Sequence, residues 1–142
     1  MMYGVEFDVT PEELNPDFLL PLDKANIERV GTDITITAHA KMVGHSLQAA
    51  EILKKEHDID CEVINLRSLR PLDRPCIIKS VMKTNRIVNV EEGWPQHGIG
   101  AEIAGLIMES EAFDYLDAPM ERVCGADVPM PYSQSIEAQA VP

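Results

Sequence analysis

The chain has 142 residues, of which 45% are hydrophobic and 25% are charged, proportions typical of a single globular domain and not of a disordered protein. A formal net charge of −12 argues against a nucleic-acid partner, because duplex binding needs a basic face. No apolar run approaches the roughly 20 residues of a membrane-spanning helix, so the sequence predicts no membrane segment.

The N-terminal segment, residues 1–33, differs from the rest of the chain. Residues 9–22 hold three prolines, which fix the backbone and favour extended conformations in the residues before them. We therefore expect 1–33 to form an ordered interdomain arm or linker, anchored to a surface by Phe18–Leu20. The domain itself is expected to span 34–142.

From residue 34 onward, β-branched runs alternate with stretches of helical spacing. The predicted strands are Ile34–Ala38, Cys61–Leu66, Arg86–Glu91 and Glu121–Cys124. The predicted helices are Met42–His57, one that follows an N-cap at Asp73, Gly98–Ser110, and one that begins near Ser133. This order is typical of an α/β fold with a mainly parallel sheet and helices on both faces.

The cysteines and histidines form no metal-binding motif. The three cysteines contain no C-x-x-C, and the four histidines contain no H-x-x-x-H or H-E-x-x-H; they are Cys61, Cys76, Cys124, His39, His45, His57 and His97. We expect free thiols in a reducing compartment and no metal site.

Two loops that follow predicted strands carry residues capable of chemistry. His39, Lys41 and His45 follow the first strand and could bind an anion at a helix N-terminus, although a solvated loop is the favoured interpretation. Residues 91–100, E-E-G-W-P-Q-H-G-I-G, follow the third strand. Here Glu91 or Glu92 could act as a general base beside His97, but tight helix packing by the glycines is favoured.

The C-terminal third is strongly acidic. Residues 87–142 hold ten acids and a single base, Arg122, a net charge of −9. Solubility is the simpler explanation, and a docking face for a basic partner is the alternative. Cys124 has no local base or oxyanion site, so the sequence does not favour a nucleophilic role for it.

Several long segments resemble one known family. Among them are F-L-L-P-L-D-K-A-N-I-E-R-V-G-T-D-I-T-I, C-E-V-I-N-L-R-S-L-R-P-L-D, V-E-E-G-W-P-Q-H-G-I-G-A-E-I and F-D-Y-L-D-A-P-M-E-R-V-C-G-A-D-V-P-M-P-Y. Together with shorter matches they resemble the C-terminal domain of the pyruvate dehydrogenase (acetyl-transferring) beta subunit. The resemblance implies a transketolase C-terminal fold: three layers, helix–sheet–helix, with a mostly parallel five-stranded sheet and one antiparallel strand. The resemblance also implies a closing helix, which we expect this chain to lack.

The resemblance also implies a function for the longer parent protein. That function is oxidative decarboxylation of pyruvate with acetyl transfer to a lipoyl group on dihydrolipoyl acetyltransferase. In the family, thiamine diphosphate lies between the alpha subunit and the N-terminal domain of the beta subunit, so we expect no catalytic, cofactor-binding or metal-binding residue in this chain. The implied partners are the alpha subunit, a second beta subunit and the subunit-binding domain of the acetyltransferase.

Three residues are the candidates for assembly. Trp94 and Pro95 are expected at a subunit interface, because a large aromatic beside a proline on a glycine-rich loop suits a buried anchor. Asp117, in L-D-A-P, is the match for the family's contact with the basic subunit-binding domain. The alternative for Asp117 is an aspartate that caps its own turn.

Two other functions remain open from the sequence. The branched-chain 2-oxo acid dehydrogenase beta subunit shares part of the motif set. An independent α/β domain could instead bind a small molecule through the His39–His45 loop or the Trp94 loop. For the favoured family, the resemblance implies the mitochondrial matrix in a eukaryote and the cytoplasm otherwise.

Overall fold

A computed structural model describes residues 9–142 of the chain. Its five strands, β1 to β5, are Asn26–Arg29, Ile34–Ala38, Cys61–Asn65, Ile87–Val90 and Glu121–Val123. Its four α-helices, α1 to α4, are Lys41–His57, Arg74–Thr84, Ile99–Met108 and Gln134–Ala140, and a 3₁₀ helix spans Glu111–Tyr115. Within residues 9–142, none of the helices has both the length and the apolar character needed to cross a bilayer.

The strands form one sheet in the order β1-β3-β2-β4-β5. Every neighbouring pair is parallel except β1 with β3, which is antiparallel. This confirms the expected five-stranded, mostly parallel sheet with one antiparallel strand. The strand that the sequence pattern missed is β1, which falls inside the segment expected to form the arm.

The two faces of the sheet are covered by different helices. On one face, α1 packs through residues such as Ala50 against Ile36 and Val63. On the other face, α2 and α3 both contribute to a cluster around Ile64, with Ile103 among the fully buried side chains. Successive strand residues point to opposite faces, which is why Val63 and Ile64 belong to different clusters. The predicted three layers are therefore confirmed.

Local sequence signals explain where α2 begins. The Asp73 side chain accepts a hydrogen bond from the backbone N–H of Cys76 at 3.2 Å and so acts as the predicted N-cap. Pro75 occupies the first turn, where its missing N–H leaves no intrahelical bond unmade. A second Asp73 oxygen accepts from the backbone of Ala25 at 3.1 Å, which joins the start of α2 to the segment before β1.

The proline-rich segment stays on the outside of the described chain. Within the described part of the chain, residues 9–24 are all exposed to solvent, and Leu19 is 87% exposed. Phe18–Leu20, expected to anchor the arm, therefore lie open on this chain's own surface.

Candidate functional site

Glu91, the first of the paired carboxylates, lies at the carboxyl end of β4 and is only 2% exposed. Its Oε2 accepts a hydrogen bond from the backbone N–H of Ile99 at 2.9 Å, and its Oε1 accepts one from Gly100 at 2.9 Å. Both N–H groups belong to the first turn of α3 and have no partner within the helix. The carboxylate also faces the positive end of the helix dipole, so Glu91 acts as an N-terminal cap for α3.

The glycines of the Gly98-x-Gly100 motif make room for this carboxylate. A Cβ atom added at Gly98 would lie 2.6 Å from the Glu91 Oε2. One added at Gly100 would lie 2.6 Å from the Glu91 Oε1 and 2.5 Å from the Asn89 Nδ2. The motif therefore serves close approach of a side chain to the helix, as the packing interpretation predicted. The anion that the helix N-terminus would attract is already supplied by the protein.

A buried polar row extends from Glu91 across the sheet. The Asn89 Nδ2 donates to the Glu91 Oε1 at 3.2 Å, and the Thr37 hydroxyl donates to the Asn89 Oδ1 at 3.1 Å. The Cys124 thiol reaches the Glu91 Oε1 at 3.7 Å. Burial, the nearby Glu91 charge and this hydrogen bond all raise the pKa of Cys124, so the thiol stays protonated near neutral pH.

The structure does not bring His97 into this network. His97 is exposed at the end of the loop, with a backbone φ of 59°, and its Nε2 lies 3.4 Å from the Gln96 Nε2. Glu92 is half-buried, and its Oε1 lies 3.9 Å from the Lys41 Nζ. Glu91 directs its acceptors to α3 and Asn89, so the pairing of Glu91 with His97 for general base catalysis has no geometric support.

The Trp94-Pro95 loop is hydrogen-bonded to other parts of the chain and is also partly exposed to solvent. The Trp94 indole N–H donates to the backbone carbonyl of Val128 at 3.0 Å, yet the residue is 50% exposed. The Pro95 carbonyl accepts from the Arg122 Nη1 at 2.7 Å. The polar atom of the indole is thus satisfied within the chain, while much of its apolar ring faces outward.

The loop after β2 places His39 and Lys41 at the start of α1. The preceding N-cap residue, Ala40, has φ 51° and makes no side-chain cap. The His39 Nδ1 is buried without a hydrogen-bond partner on residues 9–142. His45 lies on α1 and is exposed. The Lys41 ammonium lies 3.9 Å from the Glu92 carboxylate, so its positive charge is partly balanced within the protein.

Asp117 lies in the exposed turn between the 3₁₀ helix and β5. Its side chain is 56% exposed, and its Oδ2 accepts from the Arg86 Nη2 at 3.3 Å. Its backbone N–H donates to the Asn85 carbonyl at 2.9 Å, and the Asn85 Nδ2 donates to the Tyr115 carbonyl at 2.7 Å. The backbone of the turn is therefore fixed by Asn85, while the carboxylate of Asp117 pairs with Arg86 and not with its own turn.

An apolar groove, here called the α3 groove, adjoins Asp117. Its volume is about 570 Å³. It is lined by Ala104, Ile107, Met108, Phe113, Leu116, Asp117, Ala118, Pro119 and Met120. Met108 is 61% exposed and Phe113 is 48% exposed, so the groove presents large apolar side chains to the outside.

Sequence reasoning missed a second buried carboxylate. Glu62, on β3, is 1% exposed and pairs with the Lys83 ammonium and with the Ser80 hydroxyl, the latter at 2.6 Å. Ser80 in turn lies 2.6 Å from the Thr35 hydroxyl. The available signal was a glutamate inside an otherwise apolar strand, C-E-V-I, with serine and lysine three residues apart on the next helix. Among residues 9–142, no three His, Cys, Asp or Glu side chains cluster as metal ligands.

The chain is similar to a solved structure and to several curated proteins. A structure titled "Split gene transketolase, inactive beta4 tetramer" matches with a TM-score of 0.73 and 26% identity, over 89% of this chain and 39% of that one. Among curated relatives, the pyruvate dehydrogenase E1 component subunit beta-2, mitochondrial, of Oryza sativa subsp. japonica is 60% identical over 142 residues. The mitochondrial subunit beta is 56% identical in Homo sapiens and 61% identical in Pisum sativum, over the same length.

The extent of these matches defines what they show. All of this chain is aligned, but it spans only 37% of the rice relative and 39% of the human and pea relatives. Residues 23–142 match the family model described as the transketolase, C-terminal domain. The match covers β1, which sequence reasoning had placed in the arm, through to the last residue. The chain therefore belongs to the transketolase C-terminal domain family.

Proposed function

We propose that this chain is the C-terminal domain of a mitochondrial pyruvate dehydrogenase beta subunit and that its task is assembly and partner docking. The observation that carries the proposal is the 56–61% identity to relatives of that name over all 142 residues. In the whole enzyme, pyruvate is decarboxylated and its acetyl group passes to a lipoyl group on dihydrolipoyl acetyltransferase. The expected assembly is an α₂β₂ heterotetramer in the mitochondrial matrix.

Among residues 9–142, the start of α3 is the element most like a diphosphate site, and it does not fit thiamine diphosphate, which the enzyme as a whole requires. The glycine-containing helix start that could receive a diphosphate has its N–H groups at Ile99 and Gly100 bonded to Glu91. A diphosphate placed there would meet a buried carboxylate of the same charge sign. We therefore propose that other parts of the longer protein hold the cofactor, and we assign no chemical step to this domain.

Substrate preference tests the identity of the parent. The full-length beta subunit, co-expressed with its alpha subunit, should decarboxylate pyruvate with a higher kcat/KM than a branched-chain 2-oxo acid. A preference for the branched-chain acid would instead support the branched-chain dehydrogenase.

Titration of the 142-residue chain with thiamine diphosphate and magnesium should show no saturable heat. Micromolar binding, which needs about 8 kcal/mol of contacts, would contradict the proposal that this domain holds no cofactor site.

We assign the docking of a basic partner domain to Asp117. Its carboxylate is more than half exposed, its backbone is held by Asn85, and it lies in the −9 third of the chain. A rigid, exposed acid loses little entropy on docking and can accept a charge-assisted hydrogen bond from Arg or Lys. The proposed partner is the subunit-binding domain of dihydrolipoyl acetyltransferase.

The docking role is tested in the assembled enzyme. Asp117→Ala and Asp117→Asn should each weaken binding of the isolated subunit-binding domain by about 1–3 kcal/mol, with a weaker dependence on salt than the wild type. Asp127→Asn is the matched control, since Asp127 is also exposed but lies beyond β5. Equal losses for Asp117→Asn and Asp127→Asn would point to net charge, and unchanged binding for Asp117→Asn would reject the contact.

We assign the Trp94-Pro95 loop to the interface with the second beta subunit. The indole N–H is already bonded to Val128, so the exposed ring offers apolar area without a polar group to desolvate. Trp94→Ala should weaken the heterotetramer. In sedimentation experiments, the variant should dissociate at protein concentrations at which the wild type is still assembled. Trp94→Phe keeps the apolar area and should stay assembled. Full assembly of Trp94→Ala with reduced turnover would instead favour a catalytic loop.

A further inference from the structure

The α3 groove is a second feature of the surface around Asp117, and neither the resemblance nor the sequence pattern pointed to it. Its floor is formed by buried Ile107 and half-buried Leu116, and exposed Met108 and Phe113 lie along it. Asp117 belongs to the same lining. A concave apolar surface of this size, with a carboxylate at its edge, can hold an apolar side chain in the groove and a neighbouring cation at the carboxylate.

The charge around the groove selects what can enter it. The segment 109–121 carries five acids and neither lysine nor arginine; the acids are Glu109, Glu111, Asp114, Asp117 and Glu121. The cation paired with Asp117 is Arg86, at 3.3 Å, and both side chains are more than half exposed. The segment therefore favours an occupant that brings positive charge together with apolar area.

We infer that the α3 groove receives a large apolar side chain of a basic partner segment, at the same time as a neighbouring cation of that segment binds Asp117. The inference rests on the proposed docking function and adds the apolar anchor and the chemistry of the partner. Apolar anchors seated in pockets contribute most of the affinity in many interfaces, whereas exposed ion pairs contribute little. Affinity would come mainly from the groove, and orientation and association rate from Asp117.

A second copy of this chain is a poorer occupant of the groove. A symmetric dimer through this face would bring the acidic segment 109–121, which includes Asp117 of the groove lining, close to the same segment of the copy. Like charges placed opposite one another disfavour such a contact. A basic partner meets no such repulsion.

The experiment compares groove variants with Asp117→Asn in the assembled full-length enzyme, with the isolated basic subunit-binding domain as probe. Met108→Ser removes exposed apolar area, and Ala104→Phe fills the groove. Each is expected to lower the affinity by about tenfold with the salt dependence of binding unchanged, because the lost contact is apolar. Ile52→Ser is the matched control: Ile52 is 54% exposed but lies on α1, on the other face of the sheet.

The possible results separate the inference from the function on which it rests. Weaker binding for both groove variants, with Ile52→Ser unchanged and all variants melting as the wild type does, supports the groove. Normal binding for the groove variants with weak binding for Asp117→Asn overturns the groove and leaves docking at Asp117. Normal binding for all three overturns both. Dissociation of the heterotetramer by Met108→Ser would overturn the inference, because the groove would then be a subunit interface.

Discussion

Glu91 and Asp117 are two carboxylates of similar chemistry that lie in opposite surroundings. Glu91 is 2% exposed and has its oxygens bonded to α3 and to Asn89. Asp117 is more than half exposed, and within residues 9–142 its carboxylate accepts one hydrogen bond, from Arg86. Both oxygens of the Glu91 carboxylate accept hydrogen bonds in a buried place, whereas among residues 9–142 only one oxygen of Asp117 accepts a hydrogen bond. A candidate acid is therefore judged best by which of its oxygens are already in use.

The largest effect is expected when the inward-facing carboxylate is removed. Glu91→Ala leaves the N–H groups of Ile99 and Gly100 and the Asn89 amide without their acceptor in a buried place, which should reduce the free energy of unfolding by about 3 kcal/mol. Urea unfolding measures the loss. Glu92→Ala is the matched control and should change it by less than about 0.5 kcal/mol. Equal, small changes would remove the contrast between the buried and the exposed carboxylate.

The next effect tests the close approach of Glu91 to α3. Gly100→Ala would place a Cβ 2.5 Å from the Asn89 Nδ2 and should destabilise the chain by about 1–3 kcal/mol. Gly105→Ala is the control in the same helix, because nothing lies within 4 Å of its added Cβ. That variant should be more stable by about 0.5–1 kcal/mol, as alanine favours helix over glycine. Thermal melting distinguishes the two, and similar shifts for both would contradict the packing argument.

Cys124 provides a chemical probe of the same buried region. Because burial and Glu91 raise the pKa of its thiol, Cys124 should react with iodoacetamide more slowly than a free cysteine, and the gap should narrow as pH rises above about 8.5. The reaction is slower because the thiolate is the reactive form and a raised pKa lowers the fraction of thiolate at a given pH. Mass spectrometry of the labelled peptide gives the rate. A reaction faster than that of the free thiol would contradict the raised pKa and would instead support a nucleophilic role for Cys124.

The smallest effect concerns the exposed carboxylate. Arg86 competes with a docking cation for Asp117, so Arg86→Gln should strengthen binding of the basic subunit-binding domain by about threefold. This is the effect expected when the repulsion between the Arg86 charge and a partner cation about 7 Å away in water is removed. The gain should vanish in the Asp117→Asn background. Weaker binding in Arg86→Gln would show that Arg86 positions the carboxylate and does not compete for it.

The central elements of the fold were predictable because their signals are local. Alternation in I-T-I-T-A and the cap at Asp73 fixed β2 and the start of α2 to within about a residue. β1 was missed because an edge strand with both central residues exposed, N-I-E-R, lacks an apolar pattern. The register shift between Ile27 and Arg29 weakens its pairing pattern further.

The sites were less predictable because they depend on contacts between distant segments. Sequence spacing could not show that the Glu91 side chain caps a helix that begins eight residues later, so its carboxylate looked available for catalysis. The acidic character of the C-terminal third was visible at once, but the α3 groove requires α3, the 3₁₀ helix and the Asp117 turn to be placed together. Exposure and hydrogen-bond partners decide such questions, and neither can be read from residue types.

The edges of the sheet limit how this domain can recruit anything. One edge is β1, four residues long with Glu28 and Arg29 on it, and the other is β5, only three residues long. Short, charged edges are poor templates for an added strand, so strand addition by an incoming peptide and edge-to-edge aggregation are both disfavoured. Recognition must then depend on side chains from helices and loops, which allows partner choice to change by surface substitution while the backbone of the sheet stays as it is.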